Sequence, residues 1–408
     1  MHIRSPGVRL PALLLALALA ACGGPSASPG PGDTPAATPV QGQTPAITPA
    51  GTADQTPAGT PAQTPTGTPD QTPAGTPDAT AAGTPDASPD VPEGHFVNPV
   101  LPVNFPDPHV IEVDGTYYAY ATQGLGFKIQ MSSSTDMVTW ERPREALPRL
   151  PLWSPGDVWA PEVAETSAGF VMYYTLRASG VRRPDGMNSQ CISYAIADDP
   201  AGPFVDPNEE PFVCQPDLGG SIDAHHFVDE DGTPYLVWKN DGNCCSISTR
   251  MWIQELSEDG TELLGEPVDM GVRNDKPWEA HVIEAPTVLL VDGTYFLFYS
   301  AHDYNSEHYA VGYATSDTVT GPYAEAEENP ILTSDGSAAG PGGQAVITDA
   351  NGDLWVYYHA WDAGRIGDHR GGARSMWLDE LIIEDGRAII DGPDDGPQPA
   401  PQPVGGDT

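Results

Sequence analysis

Between Phe96 and about Gly392 the apolar and polar positions alternate in short runs, and the runs recur in one order. A carboxylate or amide residue comes first, then a few apolar positions, a turn, and a strand rich in aromatics. The five copies are PDPHVIEVDGTYYAYAT, PEVAETSAGFVMYYT, IDAHHFVDEDGTPYLVW, EAPTVLLVDGTYFLFYS and GQAVITDANGDLWVYYHA. Alternation with a period of two predicts half-buried strands, and Asp-Gly between two such runs is a strong hairpin signal. A third strand follows in ISYAIADDPAGPF and VGYATSDTVTGPY, and segments such as MWIQELSEDGTEL imply a fourth. No convincing amphipathic helix interrupts the series.

Aligned on their turns, the copies place Asp107, Glu162, Asp223, Glu284 and Gln344 in one register, at steps of 55, 61, 61 and 60 residues. A near-constant period of this size, spelled in β-type residues, predicts a radial array of blades. The expected fold is all-β, a five-bladed β-propeller. A two-sheet sandwich of irregular hairpins is the alternative, but it leaves the period unexplained. In a propeller, equivalent positions converge on one axis, so four of these five positions bring carboxylates towards a common centre.

The remainder of the 408 residues reads differently. Residues 1–22 carry Arg4 and Arg9 ahead of the apolar run PALLLALALAA, too short to span a bilayer stably, and read as an export signal. The run ends in Leu19-Ala20-Ala21-Cys22, which resembles the lipobox of bacterial lipoproteins. That resemblance implies lipidation at Cys22 and a protein held on the extracellular face of the bacterial cell membrane; an ordinary cleaved signal is the alternative. Residues 23–94 are Thr, Pro, Gly, Ala and Asp with almost no large apolar residue, a composition that cannot offset chain entropy and that predicts an extended tether. Residues 393–408 read as a second disordered tail, leaving 95–392 as the propeller.

Acidic residues number 57 against 17 basic, a formal charge of −40. Such a surface repels nucleic acid and anionic lipid, so the lipid anchor is the sole membrane contact expected, and a neutral ligand fits better. Nothing in the sequence calls for an oligomer, and a monomer is expected. Apart from Cys22, the cysteines are Cys191, Cys214, Cys244 and Cys245. In an exported protein they allow two disulfides in three pairings. A bridge within Cys244-Cys245 would be strained, so partners at Cys191 and Cys214 are expected. No His/Cys spacing resembles a zinc site.

The carboxylates carry the candidate chemistry. Asp107 lies between two prolines and would serve equally as a turn residue. Asp223 and Glu284 sit among apolar neighbours, where a carboxylate is costly to desolvate unless it is paired or functional. Taken together, in register and without a metal motif, they suggest acid–base chemistry.

The segments PDPHVIEVDGTYYAYAT, VWAPEV, SIDAHHFVDEDGTPYLVWK and IEAPTVLLVDGTYFLFYS resemble signature segments of glycoside hydrolase family 43, across about residues 96–390. The resemblance implies a five-bladed propeller that hydrolyses arabinofuranosides or xylosides with inversion. It implies Asp107 as general base, Asp223 as the residue that orients the acid and modulates its pKa, and Glu284 as general acid. Inversion requires the base and acid to stand ~6.5–9.5 Å apart, leaving room for water. Glu162 falls in a non-catalytic segment and is expected to be structural or pocket-lining. Trp159 and Trp278 are candidates for stacking on a sugar, with core packing as the alternative for each. Arg374 resembles a substrate-approaching arginine, with a plain salt bridge as its alternative, and His359 is expected to be buried and structural. The family often carries a histidine after Gly-x-Gly in the fifth blade, sometimes associated with a central calcium ion. Here the segment is Gly340-Pro341-Gly342-Gly343-Gln344, so no metal or cofactor is expected.

The expected activity is that of an α-L-arabinofuranosidase or arabinan-degrading enzyme, with arabinan, arabinoxylan or xylan oligosaccharides as partners. A β-xylosidase is the alternative within the enzyme class. A propeller that binds glycans without hydrolysing them is the alternative outside it.

Overall fold

The computed structural model describes residues 91–405. The export signal, Cys22 and nearly all of the 23–94 tether lie outside the described residues. Five antiparallel sheets follow one another in chain order, as the period predicts. Blade one holds His109–Val113, Thr116–Ala121, Gln130–Ser134 and Arg144–Glu145; blade two holds Trp159–Thr166, Gly169–Arg182 and Asn188–Ala197. Blade three holds Ser221–Val228, Pro234–Asn240, Arg250–Leu256 and Leu263–Arg273. Blade four holds Ile283–Val291, Thr294–Ala301, Ala310–Ser316 and Ala324–Glu325, and blade five Ala338–Thr348, Leu354–Asp362, Arg374–Glu384 and Arg387–Asp391. Blade two has three strands instead of four, its outer edge reduced to bridges from Ile192 to Val213 and Ile196 to Val205. In blade three, MWIQEL forms the third strand, and the fourth begins only at Leu263.

The hairpins form where the sequence spells them. Asp114-Gly115 and Asp292-Gly293 both have positive φ at each residue, and their flanks pair Val113 with Thr116 and Val291 with Thr294. Two left-handed residues make the turn that matches the right-handed twist of the strands, and this is why Asp-Gly is favoured there. The aromatics of the second strands fill the spaces between blades. Tyr120 packs with Tyr174 and Phe204 on the blade-two side, and Tyr299 and Tyr295 pack with Met251 and Ile253 of blade three.

A second regularity sits at the axial end of each innermost strand, where one residue is left-handed: Asp107 (φ 53°), Ala160 (φ 43°), Asp223 (φ 56°), Ala285 (φ 53°) and Gly343 (φ 60°). The strand pairing skips at that point in blades two to five. This kink is the structurally equivalent position, which corrects the register read from the turns. Asp107 and Asp223 occupy it, Glu284 stands one residue before it, Gln344 one after and Glu162 two after. The turn-based alignment misses this because a bulge adds residues on one strand without moving the hairpin.

Residues 393–405 are not a loose tail. Gln398–Pro399 pairs with His95–Phe96, joining the segment after blade five to the segment before blade one. Val404 N–H donates to the Tyr117 hydroxyl in blade one (2.9 Å). Composition alone misreads this stretch, because its order comes from backbone pairing, hydrogen bonds and packing against residues far away in the sequence. Asn98 is the centre of the closure. Its amide donates to Leu378 O (2.8 Å), Asp379 Oδ1 and Asp394 O (both 3.1 Å), and its carbonyl accepts from Leu378 N–H (2.9 Å).

The disulfides also depart from expectation. Pairing of Ile192 with Val213 brings Cys191 against Cys214, and these two are bridged with Cα atoms 4.8 Å apart. Cys244 and Cys245, on a 3₁₀ turn at Gly242–Cys245 in blade three, are bridged to each other.

Asn98→Ala takes the acceptor from the buried Leu378 N–H, at ~1–3 kcal/mol, and removes one of two donors to Leu378 O and Asp394 O, the other being Gln398. The expected loss is about 2–4 kcal/mol, read as a lowered midpoint in urea or thermal unfolding. An unchanged midpoint would show that the ring is closed by other contacts.

Candidate active site

The five kinks turn side chains into a shaft on the propeller axis, and at one end it opens into a cavity of about 660 Å³. Asp107, Asp223 and Glu284 all line that cavity, as do Trp159 and Arg374. The structure therefore brings together five of the six side chains singled out from the folded part of the sequence. Trp278 is the exception: its ring lies 5.6 Å from Tyr299 and against Gly312, and its open edge faces a separate surface hollow with His302 and His308. It is a core packing residue.

Asp107 is held as an anion. Its Oδ2 accepts from the Thr122 hydroxyl (2.5 Å), and the Arg374 guanidinium stands 3.6 Å from Oδ1. Burial alone would raise its pKa, but Arg374 and the Thr122 hydrogen bond bring it below the usual aspartate value. His359 lies 3.4 Å from Oδ1 but is not its counter-ion. Burial, with the Arg374 charge beside it, pulls the imidazole down to about 3, so it is neutral, and its Nδ1 accepts the Asp107 backbone N–H (3.1 Å). Gly343 permits this approach: a Cβ there would meet His359 Nδ1 at 2.7 Å and Asp107 Oδ1 at 3.0 Å. Arg374 is itself braced between the rings of Tyr304 (4.8 Å) and Trp361 (5.5 Å). Arg374 is a salt-bridge partner of Asp107, and it also lines the cavity.

Asp223 is in the opposite state. Burial and the adjacent Glu284 carboxylate push its pKa up to about 8, against the pull of Lys239. Its Oδ2 accepts the Ala285 backbone N–H (3.1 Å). One proton is therefore kept in this corner of the cavity up to about pH 8. Glu284 has both oxygens engaged: Oε1 accepts from the Tyr309 hydroxyl (2.8 Å) and Oε2 lies 3.2 Å from the Lys239 ammonium. The site thus sets an ionised carboxylate in blade one against a proton-holding Asp223 in blade three, with Glu284 of blade four beside it, the division of charge that acid–base catalysis needs.

Deeper in the shaft, Glu162 forms a separate cluster. His109 Nδ1 and His225 Nδ1 each lie 2.9 Å from one of its oxygens, and His226 N–H donates to it at 3.1 Å. Despite burial, the two imidazoles hold the Glu162 carboxylate well below the ordinary range. Glu162 is a wall residue of the shaft, as expected. Beside it, the Gln344 side chain is bonded to Ser300 Oγ and Ala285 O.

Sequence inspection missed Lys239, Tyr309 and Thr122, all of which touch the carboxylates. Lys239 left one trace, a lysine inside the apolar run YLVWKN in a chain with three lysines. Tyr309 and Thr122 left none.

Comparison with known proteins agrees with this geometry. The description of Glycosyl hydrolases family 43 matches residues 96–387. A β-xylosidase of Bacillus subtilis is 28% identical over 64% of this chain and 49% of its own length. A probable arabinan endo-1,5-α-L-arabinosidase A of Aspergillus flavus is 26% identical over 64% of this chain and 82% of its own length. Among solved structures, a thermostable family-43 glycoside hydrolase superimposes with a TM-score of 0.66 at 32% identity, over 75% of this chain and 99% of that one. With a propeller whose axial cavity gathers Asp107, Asp223 and Glu284, and with a family match across the whole propeller, the chain is a glycosidase and belongs to glycoside hydrolase family 43.

Proposed function

We propose that this glycosidase cleaves arabinose- or xylose-containing plant oligosaccharides with inversion, acting as an α-L-arabinofuranosidase or arabinan-degrading enzyme. The observation that carries the reading is that one cavity holds Asp107, bound by Arg374 and Thr122, together with Asp223 and Glu284, the latter bound by Lys239 and Tyr309. Asp107, kept ionised by Arg374 and Thr122, acts as the general base on water. Glu284 shares the proton held with Asp223 and delivers it to the leaving oxygen, so Asp223 modulates the acid and is not the donor. Trp159 and Arg374 line the cavity where the sugar binds. The arabinan-active relative in Aspergillus supports arabinose, and the Bacillus β-xylosidase supports xylose as the second reading. The sequence also supports export and lipidation at Cys22, with the monomeric head held off the extracellular face of the membrane.

Wild-type enzyme is expected to release arabinose from 4-nitrophenyl α-L-arabinofuranoside faster than xylose from the matching β-xyloside. Asp107→Asn and Glu284→Gln should each lower kcat/KM on arabino-oligosaccharides by ~10²–10⁴-fold. Full retention of activity by Glu284→Gln would remove it from the acid role. No turnover on any arabinose or xylose substrate, with binding retained, would leave a glycan-binding propeller.

The pH dependence follows from the signs. Activity needs Asp107 deprotonated, a state lost only as pH falls through its depressed pKa, and needs the proton on the Asp223–Glu284 pair, lost as pH rises through about 8. The kcat/KM profile should therefore be flat below neutrality down to the ordinary carboxylate range and fall above about pH 8. An alkaline limb below pH 6 would contradict the assignment.

Cys22→Ser should move the protein from the membrane fraction to a soluble one. Unchanged partition would exclude the lipid anchor.

A further inference from the structure

Lys239 is the least expected charge in the fold. It lies inside Pro234–Asn240, the second strand of blade three, and its side chain is wholly buried. A buried ammonium is tolerated only when it is paired and hydrogen-bonded. Its partners are Glu284 Oε2 in the neighbouring blade, at 3.2 Å, and Asn243 Oδ1, at 2.8 Å. Asn243 sits on the turn closed by the Cys244–Cys245 bridge, at the rim of the cavity. The cation therefore reaches across a blade boundary to one oxygen of one carboxylate.

We infer that Lys239 is a positioning residue for Glu284, holding Oε2 as an acceptor so that the transferable proton resides on Oε1. Lys239 has only donors, so the oxygen it faces cannot also carry a proton towards it. Oε1 faces the Tyr309 hydroxyl, which, unlike an ammonium, can rotate to accept from a protonated oxygen, and Tyr309 and Glu284 both line the cavity. The inference rests on the reading of Glu284 as the acid. In the step, the proton on Oε1 passes to the glycosidic oxygen as that oxygen takes the electron pair of its bond to the anomeric carbon. Water attacks the anomeric carbon from the other face and gives its proton to Asp107. Glu284 gains a full negative charge beside an ammonium already in place, so no reorganisation is needed to stabilise it.

The charged and titratable groups facing Glu284 are few. Asp223 comes from the innermost strand of blade three, Lys239 from its second strand and Asp241 from the loop that follows, with Arg183 3.7 Å from Asp241. Tyr309 comes from blade four, and Asp107 acts across the shaft. Lys239 is the one cation among them within 4 Å of the Glu284 carboxylate in the described residues.

The test is a leaving-group series of aryl and alkyl glycosides of whichever sugar the wild type cleaves, from 2,4-dinitrophenyl to methyl. Acid assistance matters little for the first and most for the last. Lys239→Met should lower kcat/KM by ~10²-fold or more on the methyl glycoside and by less than ~10-fold on the dinitrophenyl one. Its alkaline limb should move up by about one pH unit, because a carboxyl without its cation keeps its proton longer. Lys239→Arg should restore part of both effects. Adding Lys239→Met to Glu284→Gln should cost little further activity. Equal losses across the series, or an unmoved limb, overturn the inference while leaving Glu284 as the acid. A Glu284→Gln variant equally impaired on every leaving group overturns the acid assignment and the inference with it. If Lys239→Met does not give the wild-type circular dichroism spectrum, Asn243→Ala replaces it. It sits at the exposed rim and should change the leaving-group dependence in the same direction by ~3–10-fold; no change there is also a refutation.

Discussion

The left-handed kink at the axial end of each innermost strand is the constraint on which the rest depends. In an L-residue it costs about 1–2 kcal/mol, and four of the five positions are not glycine. The ring of blades maintains it because each kink is fastened to a neighbour. Ala160 N–H donates to Thr122 Oγ1 of blade one (2.8 Å), Asp223 N–H to Thr175 Oγ1 of blade two (3.3 Å), and Ala285 N–H to Asp223 Oδ2 of blade three (3.1 Å). The same bonds that hold the backbone in a sparsely populated conformation also hold the side chains over the shaft. Strain and function are concentrated in the same residues, as is common where a scaffold fixes a site.

Once the kinks aim carboxylates at one axis, their different surroundings separate them chemically. Three acidic groups within one cavity cannot all be ionised cheaply. Arg374 and Thr122 relieve Asp107, so it stays charged. Asp223 is buried beside Glu284 with no cation in contact among the described residues, so it keeps a proton. Lys239 and Tyr309 engage the two oxygens of Glu284. The division arises from which blade supplies the neighbouring cation, not from the carboxylates themselves, and it is consistent with the proposed roles of base, modulator and acid.

Much of this was legible in the chain. The blade count follows from the period, the hairpins from Asp114-Gly115 and Asp292-Gly293, and Asp107, Asp223 and Glu284 from their place in the motifs. The illegible parts share a physical cause: they depend on contacts between residues far apart in sequence. Ala160, Ala285 and Gly343 take the kink without a charged side chain to mark them, so the apparent register followed Glu162 and Gln344 instead. Lys239 and Tyr309 act on Glu284 from other strands, and no local pattern connects them. Gln398 and Val404 are ordered by Asp379 and Tyr117, so a proline-rich composition misrepresents them. Cys244 bridges Cys245 because strand pairing has already matched Cys191 to Cys214. Trp278 lies near Glu284 in sequence, yet it packs on Tyr299, away from the cavity.

The central claim is that Asp107, ionised on one side of the shaft, activates water while the proton held on the other side goes to the leaving group. The most direct measurement is the anomeric configuration of the first product, followed by ¹H NMR before mutarotation. The account predicts inversion, with the newly formed sugar opposite in configuration to the substrate. A first product of retained configuration would contradict it, because Asp107 would then be attacking the sugar as a nucleophile instead of serving as a base for water.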